Sequence, residues 1–443
     1  MPAERLVWLG FLALWPGAVL AAYFIGVAGR RLRFFATTCA IALTLASSFP
    51  LAAELLRPTP SPGRFPALSL VLLPFAALLW LLTVIVTPSS RRTEAGFART
   101  AASCLLDLAA FSTVAPAALI AVWIASSLIL AASHSESRFA EARRIIVAHL
   151  GLSTVCLAAG ALLAPSQWGV GLILIAVLIR KGIFPFHAWI PETFDKGRIG
   201  PVARFNAPQL GTYVALVLAL PQAGAAMLKT CAVLALVTAV YGSLLALYQR
   251  DARRACGYLF VSQSALVVAG LTIPSRGAFV GALILWLGAG VALAGLCRAV
   301  LALEARRGRL RLDVRHGGYE RMPQLAACFL IMSLAIADFP GTLGFVGGEM
   351  LVRGAVDSFP ILGLLTVLAV AMNGLAAMRM YFSLFCGKRD SGVHLPLGRS
   401  EALGFAAAAL ILLGFGLAPR GLVRVLDRGV AAAPAARVAL SKK

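Results

Sequence analysis

Apolar runs of about twenty residues recur from one end of this chain to the other, each long enough to cross ~30 Å of hydrocarbon as a helix. Backbone groups in lipid must be satisfied inside a helix or a closed barrel, and these runs lack the alternation of barrel strands. The sequence therefore predicts an all-α, polytopic transmembrane helical bundle. Composition agrees: of 443 residues, 60% are hydrophobic and only 13% charged, where soluble domains carry about 25% charged residues. We place about fourteen spans, at 6–28, 34–56, 65–88, 98–114, 116–133, 145–164, 169–188, 203–221, 227–248, 256–273, 277–302, 323–346, 359–386 and 401–418. The first run is long enough to remain as a span and not a cleaved leader. No soluble domain is expected, because the longest polar segment, 304–321, is too short and too basic to fold alone.

The formal charge of +22 is scattered through short loops, which argues against nucleic acid as a partner. Arg30, Arg31 and Arg33 mark the first loop, Arg91, Arg92 and Arg99 the third, and Arg138, Arg143 and Arg144 the fifth. Lys196, Arg198 and Arg204 mark the seventh, Arg250, Arg253 and Arg254 the ninth, and Arg306, Arg307, Arg309 and Arg311 the eleventh. The loops between them are nearly uncharged. The positive-inside rule then puts the odd loops in the cytoplasm and both chain ends outside, in a cell inner (cytoplasmic) membrane. The basic residues Arg420, Arg424 and Arg428 fit that orientation poorly.

Eight cysteines lie singly in apolar runs without a CxxC pair, so no zinc or iron–sulfur ligand set is expected. No Walker or GxGxxG sequence precedes a helix, and no cofactor or catalytic residue is expected in the chain itself.

Two segments interrupt apolar runs with Pro and Gly. One carries Pro201, Pro208 and Gln209; the other carries Asp338, Pro340 and Gly341. Paired interruptions in the two halves of a membrane chain point to discontinuous helices in an inverted-repeat transporter. The ionisable residues that could form a proton path are Asp107, Lys181, His187, Lys229, Asp338, Glu349 and Arg353, with Arg298 in the same apolar setting. Glu349 and Arg353 are four apart and face each other on a helix. Asp107 needs a partner the sequence does not identify. Lys181 reads either as an interior cation or as a side chain that snorkels to the headgroups, and Lys229 as a path residue or an interfacial anchor. Glu54 and Glu304, near run ends, read as solvated.

Four ordered segments over 180–350 carry a resemblance. Lys181-Gly-Ile-Phe-Pro-Phe-His-Ala-Trp-Ile-Pro191, Gln249-Arg-Asp-Ala-Arg-Arg-Ala-Cys-Gly-Tyr258 with Ser262 and Gln263, His316-Gly-Gly-Tyr-Glu-Arg-Met-Pro323, and Phe339-Pro-Gly-Thr-Leu-Gly-Phe-Val-Gly-Gly-Glu349 resemble the antiporter-like subunits of respiratory complex I. That family includes chains L, M and N of NADH-quinone oxidoreductase, their hydrogenase counterparts and Mrp cation/proton antiporter subunits. The resemblance implies about fourteen spans, two inverted five-helix repeats with two discontinuous helices, a polar axis that conducts protons, and partner subunits in one membrane complex. It divides the chain into N-terminal helices (1–97), repeats at 98–222 and 223–386, and a C-terminal helix with a basic tail (387–443).

This sequence departs from the family pattern at several positions. An extra Gly shifts Glu349 by one place, about 100° of helix rotation. Gln209 stands where a lysine is usual, with Tyr213 following it; Leu287-Gly288 stands for a His or Lys, and Trp123-Ile-Ala-Ser-Ser127 lacks the acidic residue of the fifth span. Trp123 to Leu128, with Ala140-Glu-Ala-Arg-Arg144, is more similar to the membrane subunit of DAB-type inorganic-carbon pumps, whose partner is a large soluble zinc protein resembling carbonic anhydrase. The sequence thus leaves three readings: a proton-translocating subunit, the membrane half of a carbon-uptake pump, and a non-conducting scaffold.

Overall fold

The computed structural model describes residues 3–56, 67–387 and 397–432. Residues 65–66 of the predicted third span, and 388–396 and 433–443 of the predicted C-terminal unit, lie outside the described residues. Within them the chain is helical, and the one β-like contact is an isolated bridge between Asp251 and Arg311. Nine described helices are long and apolar enough to cross a membrane, so the chain is a multi-pass membrane protein.

The first six helices are α1 (Ala3–Phe24), α2 (Gly29–Leu56), α3 (Ala67–Val86), α4 (Glu94–Ser112), α5 (Pro116–Ala132) and α6 (Ala140–Leu163). Next come α7 (Gln167–Lys181), α8 (Trp189–Lys196), α9 (Ile199–Asn206) and α10 (Leu210–Val214), which widens into a π-helical turn at Ala215–Ala219. Then follow α11 (Ala225–Tyr248), α12 (Ala252–Thr272), α13 (Arg276–Arg307), α14 (Pro323–Ile336), α15 (Leu343–Ser358), α16 (Pro360–Phe385), α17 (Arg399–Leu417) and α18 (Arg420–Ala432). Polar caps set several starts. Thr93, Ser166, Asp251, Ser275 and Thr342 each accept a hydrogen bond from a first-turn amide of the helix that follows, a contact typically worth ~1 kcal/mol.

Helix α13 forms the centre. It is apolar all round from residue 277 to 297, with Arg298 and Glu304 beyond, and its most apolar stretch is wholly buried, as an all-round apolar stretch requires. Small residues bring α13 and α15 together. A Cβ on Gly281 would stand 2.6 Å from the backbone nitrogen of Leu351, and one on Gly347 2.6 Å from that of Leu285. Close backbone approach of this kind drives helix association where lipid removes the hydrophobic incentive.

The basic loops gather on one face. Glu94 Oε1 accepts from the Gly29 amide (2.8 Å), joining the first and third loops. Arg198 pairs with Glu136, joining the fifth and seventh, and Arg309 meets Asp251 at 2.6 Å, joining the ninth and eleventh. On the opposite face Arg5 donates to the Ser112 carbonyl (3.2 Å) and Arg428 meets Glu54 at 2.8 Å. Arg276 meets Asp427 there at 2.7 Å. Helix α18 lies on that face, its Leu422, Val425, Leu426 and Val430 buried at helical spacing. The basic residues Arg420, Arg424 and Arg428 therefore belong to an amphipathic helix on the face away from the basic loops.

Four expectations change. Pro201 does not break a helix: it sits in the first turn of α9, where its missing amide hydrogen costs nothing. The run at 169–188 ends as a helix at Lys181, because Gly182 adopts the left-handed conformation that terminates α7. The stretch 347–358, left out of any span, is the body of α15; its glycines, Glu349 and Arg353 had masked it. Glu304 is buried and clamped by Arg253 at 2.6 Å, not solvated.

Candidate functional site

The site grows from two interruptions that both lie against α13. At the first, α9 stops at Asn206 and α10 begins at Leu210, with Pro208 between and Gln209 in the left-handed region at φ +52°. Interrupting a helix frees carbonyls that lipid cannot satisfy. Trp286 of α13 donates its indole N–H to the Pro208 carbonyl at 3.0 Å, closing one of them.

Lys181 reaches this interruption from the end of α7. It is 4% exposed, which rules out the snorkelling reading. Its ammonium donates to Gln209 Oε1 at 2.5 Å and to the Thr212 hydroxyl. Gly211 makes room for the lysine stem, since a Cβ there would lie 3.0 Å from Lys181 Cγ. Both acceptors are neutral, so the cation has hydrogen bonds and no counter-charge.

Its chain neighbour Arg180 turns the other way. The guanidinium lies 4.3 Å from the ring centroids of both Trp123 and Phe205. It donates to Ser126 Oγ at 2.8 Å and Ser127 Oγ at 3.2 Å. Asp107, whose partner the sequence did not identify, meets Arg204 of α9 at 2.6 Å, both buried. That contact uses Arg204 Nη2, and Arg204 Nε has no acceptor among the described residues. Arg298 of α13 donates to Thr83 Oγ1 at 2.7 Å while its Nε has no acceptor. Together with nearby loop residues these groups line a cavity of about 430 Å³.

The second interruption lies between α14 and α15, over Ala337–Thr342, with Pro340 inside it and Gly341 at φ +90°. Asp338 is strained there at φ +50°, and both of its carboxylate oxygens are buried without a hydrogen-bond donor. Around it are further polar groups. Gln263 donates to the Ile336 carbonyl at 3.3 Å, and Asn373 to Ser262 Oγ at 2.8 Å. The Ser333 hydroxyl, Gln263 Oε1 and Asn373 Oδ1 are buried and unpaired.

The other candidates lie apart from these clusters. Glu349 Oε1 is 2.6 Å from Arg353 Nε, but their side chains are 40% and 76% exposed on the flank of α15. Lys229 is exposed near the start of α11, 5.6 Å from the Phe359 ring. His187 stacks on Phe184 and meets Tyr241 edge-on at 5.0 Å. The structure thus draws Lys181, Asp107 and Asp338 inside and leaves Glu349, Arg353, Lys229 and His187 at the rim. Sequence reasoning missed Arg204, read as a loop marker, and Thr212. For Arg204 the usable signal is a lone cation followed by Phe205 in an eight-residue helix with a Pro in its first turn.

Helix α13 carries no acidic or basic side chain between residues 277 and 297. Gly288 and Gly290 there lie against the two interruptions: a Cβ on Gly288 would be 3.4 Å from the Gly344 nitrogen, and one on Gly290 2.9 Å from the Ala207 carbonyl. Gly290 is thus held to a close approach, while Gly288 makes ordinary contact.

Residues 152–373 match the family model described as NADH:quinone oxidoreductase/Mrp antiporter, transmembrane. Among curated relatives, NADH-quinone oxidoreductase subunit N of Geotalea uraniireducens is 28% identical over 269 residues, 58% of this chain and 56% of the relative. F(420)H(2) dehydrogenase subunit M of Methanosarcina mazei is 23% identical over 256 residues, 56% of this chain and 51% of the relative. The chain therefore spans about half the length of the curated relatives it matches. In fold it superposes on a chain of respiratory complex I from Thermus thermophilus with TM-score 0.81 and 22% identity, covering 95% of this chain and 98% of that one. A chain of the Mrp complex from Dietzia gives 0.82 at 17% identity, covering 99% and 100%. The family match takes in half of the chain and both interruptions, and the chain belongs to the NADH:quinone oxidoreductase/Mrp antiporter transmembrane family.

Proposed function

We propose that the chain is a proton-translocating, antiporter-like subunit of a larger membrane complex related to NADH-quinone oxidoreductase. In this reading it crosses the cell membrane about fourteen times as two inverted repeats, 98–222 and 223–386, each holding one interrupted helix, with the basic loops in the cytoplasm. The observation that carries it is Lys181, a buried cation at an interruption whose acceptors, Gln209 and Thr212, are both neutral. An ionisable group at membrane depth costs about 2.5–3.5 kcal/mol on insertion scales and marks an ion or proton pathway by default. Lys181 can hand a proton to water or a hydroxyl because no carboxylate locks its charge. Asp338, unpaired at the second interruption, plays the reciprocal part in the other half. The apolar middle of α13 separates the two, so each half works as its own relay.

One observation favours a second reading. Ser126 and Ser127, the residues that resemble DAB-type carbon pumps, are the ones that hold Arg180. Purification in mild detergent with partners identified by mass spectrometry separates the readings. Redox or antiporter subunits support the first. A single large soluble zinc protein supports the carbon pump, and recovery of the chain alone counts against both.

A further inference from the structure

We infer that the arginine-lined cavity on the basic-loop side is an oxoanion-binding site. The inference does not depend on proton conduction by the chain.

Nine of the residues lining the cavity are arginine and only one, Asp107, is acidic. Direct ion pairs account for few of these charges: Asp107 serves Arg204, Glu136 serves both Arg138 and Arg198, and Glu304 serves Arg253. Among the described residues, nine guanidinium charges against three carboxylates leave five arginines without a direct ion pair. The surplus is graded. Arg91 and Arg138 are exposed at the mouth, while Arg180, Arg204 and Arg298 at the floor are 4%, 4% and 2% exposed. A cleft of one sign with low-dielectric walls concentrates counter-ions of the other.

The floor also offers donors that nothing among the described residues accepts. Arg298 Nε and Arg204 Nε are buried without a hydrogen-bond partner, and an unpaired buried guanidinium N–H is costly. Guanidinium forks match the spacing of oxygens on carboxylate, carbonate and phosphate, and bind them with short charge-assisted bonds. A monatomic halide cannot fill two forks at once. The cavity, about 430 Å³, falls within the range that holds small-molecule ligands. Its occupant is an oxoanion, free in solution or carried on the headgroup of an anionic lipid, which basic pockets between membrane helices bind.

The test uses the full-length protein purified in mild detergent with whatever subunits accompany it. Inorganic phosphate and bicarbonate are titrated by equilibrium dialysis at constant ionic strength against chloride, and bound lipid is read by native mass spectrometry. Saturable oxoanion binding is expected, weakened about tenfold or more in Arg298→Gln and several-fold in the mouth variant Arg91→Gln. Arg143→Gln, an exposed change on α6 outside the cavity, leaves it unaltered. Arg91 is exposed, so that variant folds even where Arg298→Gln does not. Stoichiometric phosphatidylglycerol retained by wild type and lost in Arg91→Gln or Arg298→Gln supports the site with a lipid source. Absence of both binding modes in wild type overturns the inference. So does affinity that both arginine variants leave at the wild-type value, or that Arg143→Gln lowers equally, as surface charge alone would.

Discussion

Asp107→Asn is the sharpest perturbation of the first-half cluster. Asp107 is 7% exposed and is the only carboxylate lining a cavity whose floor holds Arg180, Arg204 and Arg298. Its removal leaves the Arg204 guanidinium, 2.6 Å away, buried without a counter-charge beside two other cations. Breaking one side of a buried pair costs about 3–5 kcal/mol, whereas removing both partners is often close to neutral. Asp107→Asn and Arg204→Gln should each lose about 3–5 kcal/mol. The double variant should lose much less than their sum, a coupling of about 2 kcal/mol or more. Unfolding of the detergent-solubilised protein, followed by tryptophan fluorescence against denaturant, measures all four corners of the cycle. Asn is nearly isosteric with Asp, so a loss in that variant reports charge and not packing. If Asp107→Asn costs under about 1 kcal/mol, or the two losses add, the pair is not the counter-charge of this cluster and the reasoning fails.

Local signals that sit on one segment were readable in the sequence; those that need two segments were not. The basic loops, the Pro and Gly interruptions around Gln209 and Asp338, and Lys181 as an ionisable residue in an apolar run are all local. The partners Asp107 and Arg204 are 97 positions apart, and no helical periodicity relates them. The surplus of arginine inside the cavity was hidden for the same reason. Arg91, Arg138 and Arg198 were read one loop at a time, and only packing of α3, α4, α5, α9 and α13 turns them toward a common space. Helix α15 was lost to a different effect. Gly344, Gly347, Gly348 and Gly354 lower its apparent helix propensity, yet glycine is what lets it lie against α13 and the Asp338 turn.

The packing argument predicts that Gly281→Ala destabilises by about 1–3 kcal/mol, since its Cβ would stand 2.6 Å from backbone on α15. Gly151→Ala, with nothing within 4 Å, should be neutral or stabilising by about 0.5–1 kcal/mol. Equal effects in thermal unfolding would refute it. A pH dependence follows from His134, in the loop after α5. Burial holds its imidazole below the usual histidine value, and the cations of Arg198 and Arg99 push the same way. Its Nε2 accepts from the Arg198 amide at 2.9 Å. The unfolded chain takes up a proton that the native ring refuses, so stability is complete above about pH 6.5 and declines as pH falls below it. His134→Gln should flatten that decline in the same unfolding assay; an unchanged slope would remove His134 as its source. On the rim, where Glu349 is half exposed against Arg353, Glu349→Gln should leave proton-coupled activity near the wild-type level while the complex assembles, and loss of that activity would bring Glu349 into the pathway.

The most direct test of proton conduction is flux into proteoliposomes containing the protein with its co-purified subunits, driven by an imposed membrane potential and read with an internal pH dye. Lys181→Ala and Asp338→Asn should each cut that flux at least about tenfold while subunit composition stays as in wild type. Wild-type flux in both assembled variants would contradict the account and leave the chain as a scaffold for other subunits.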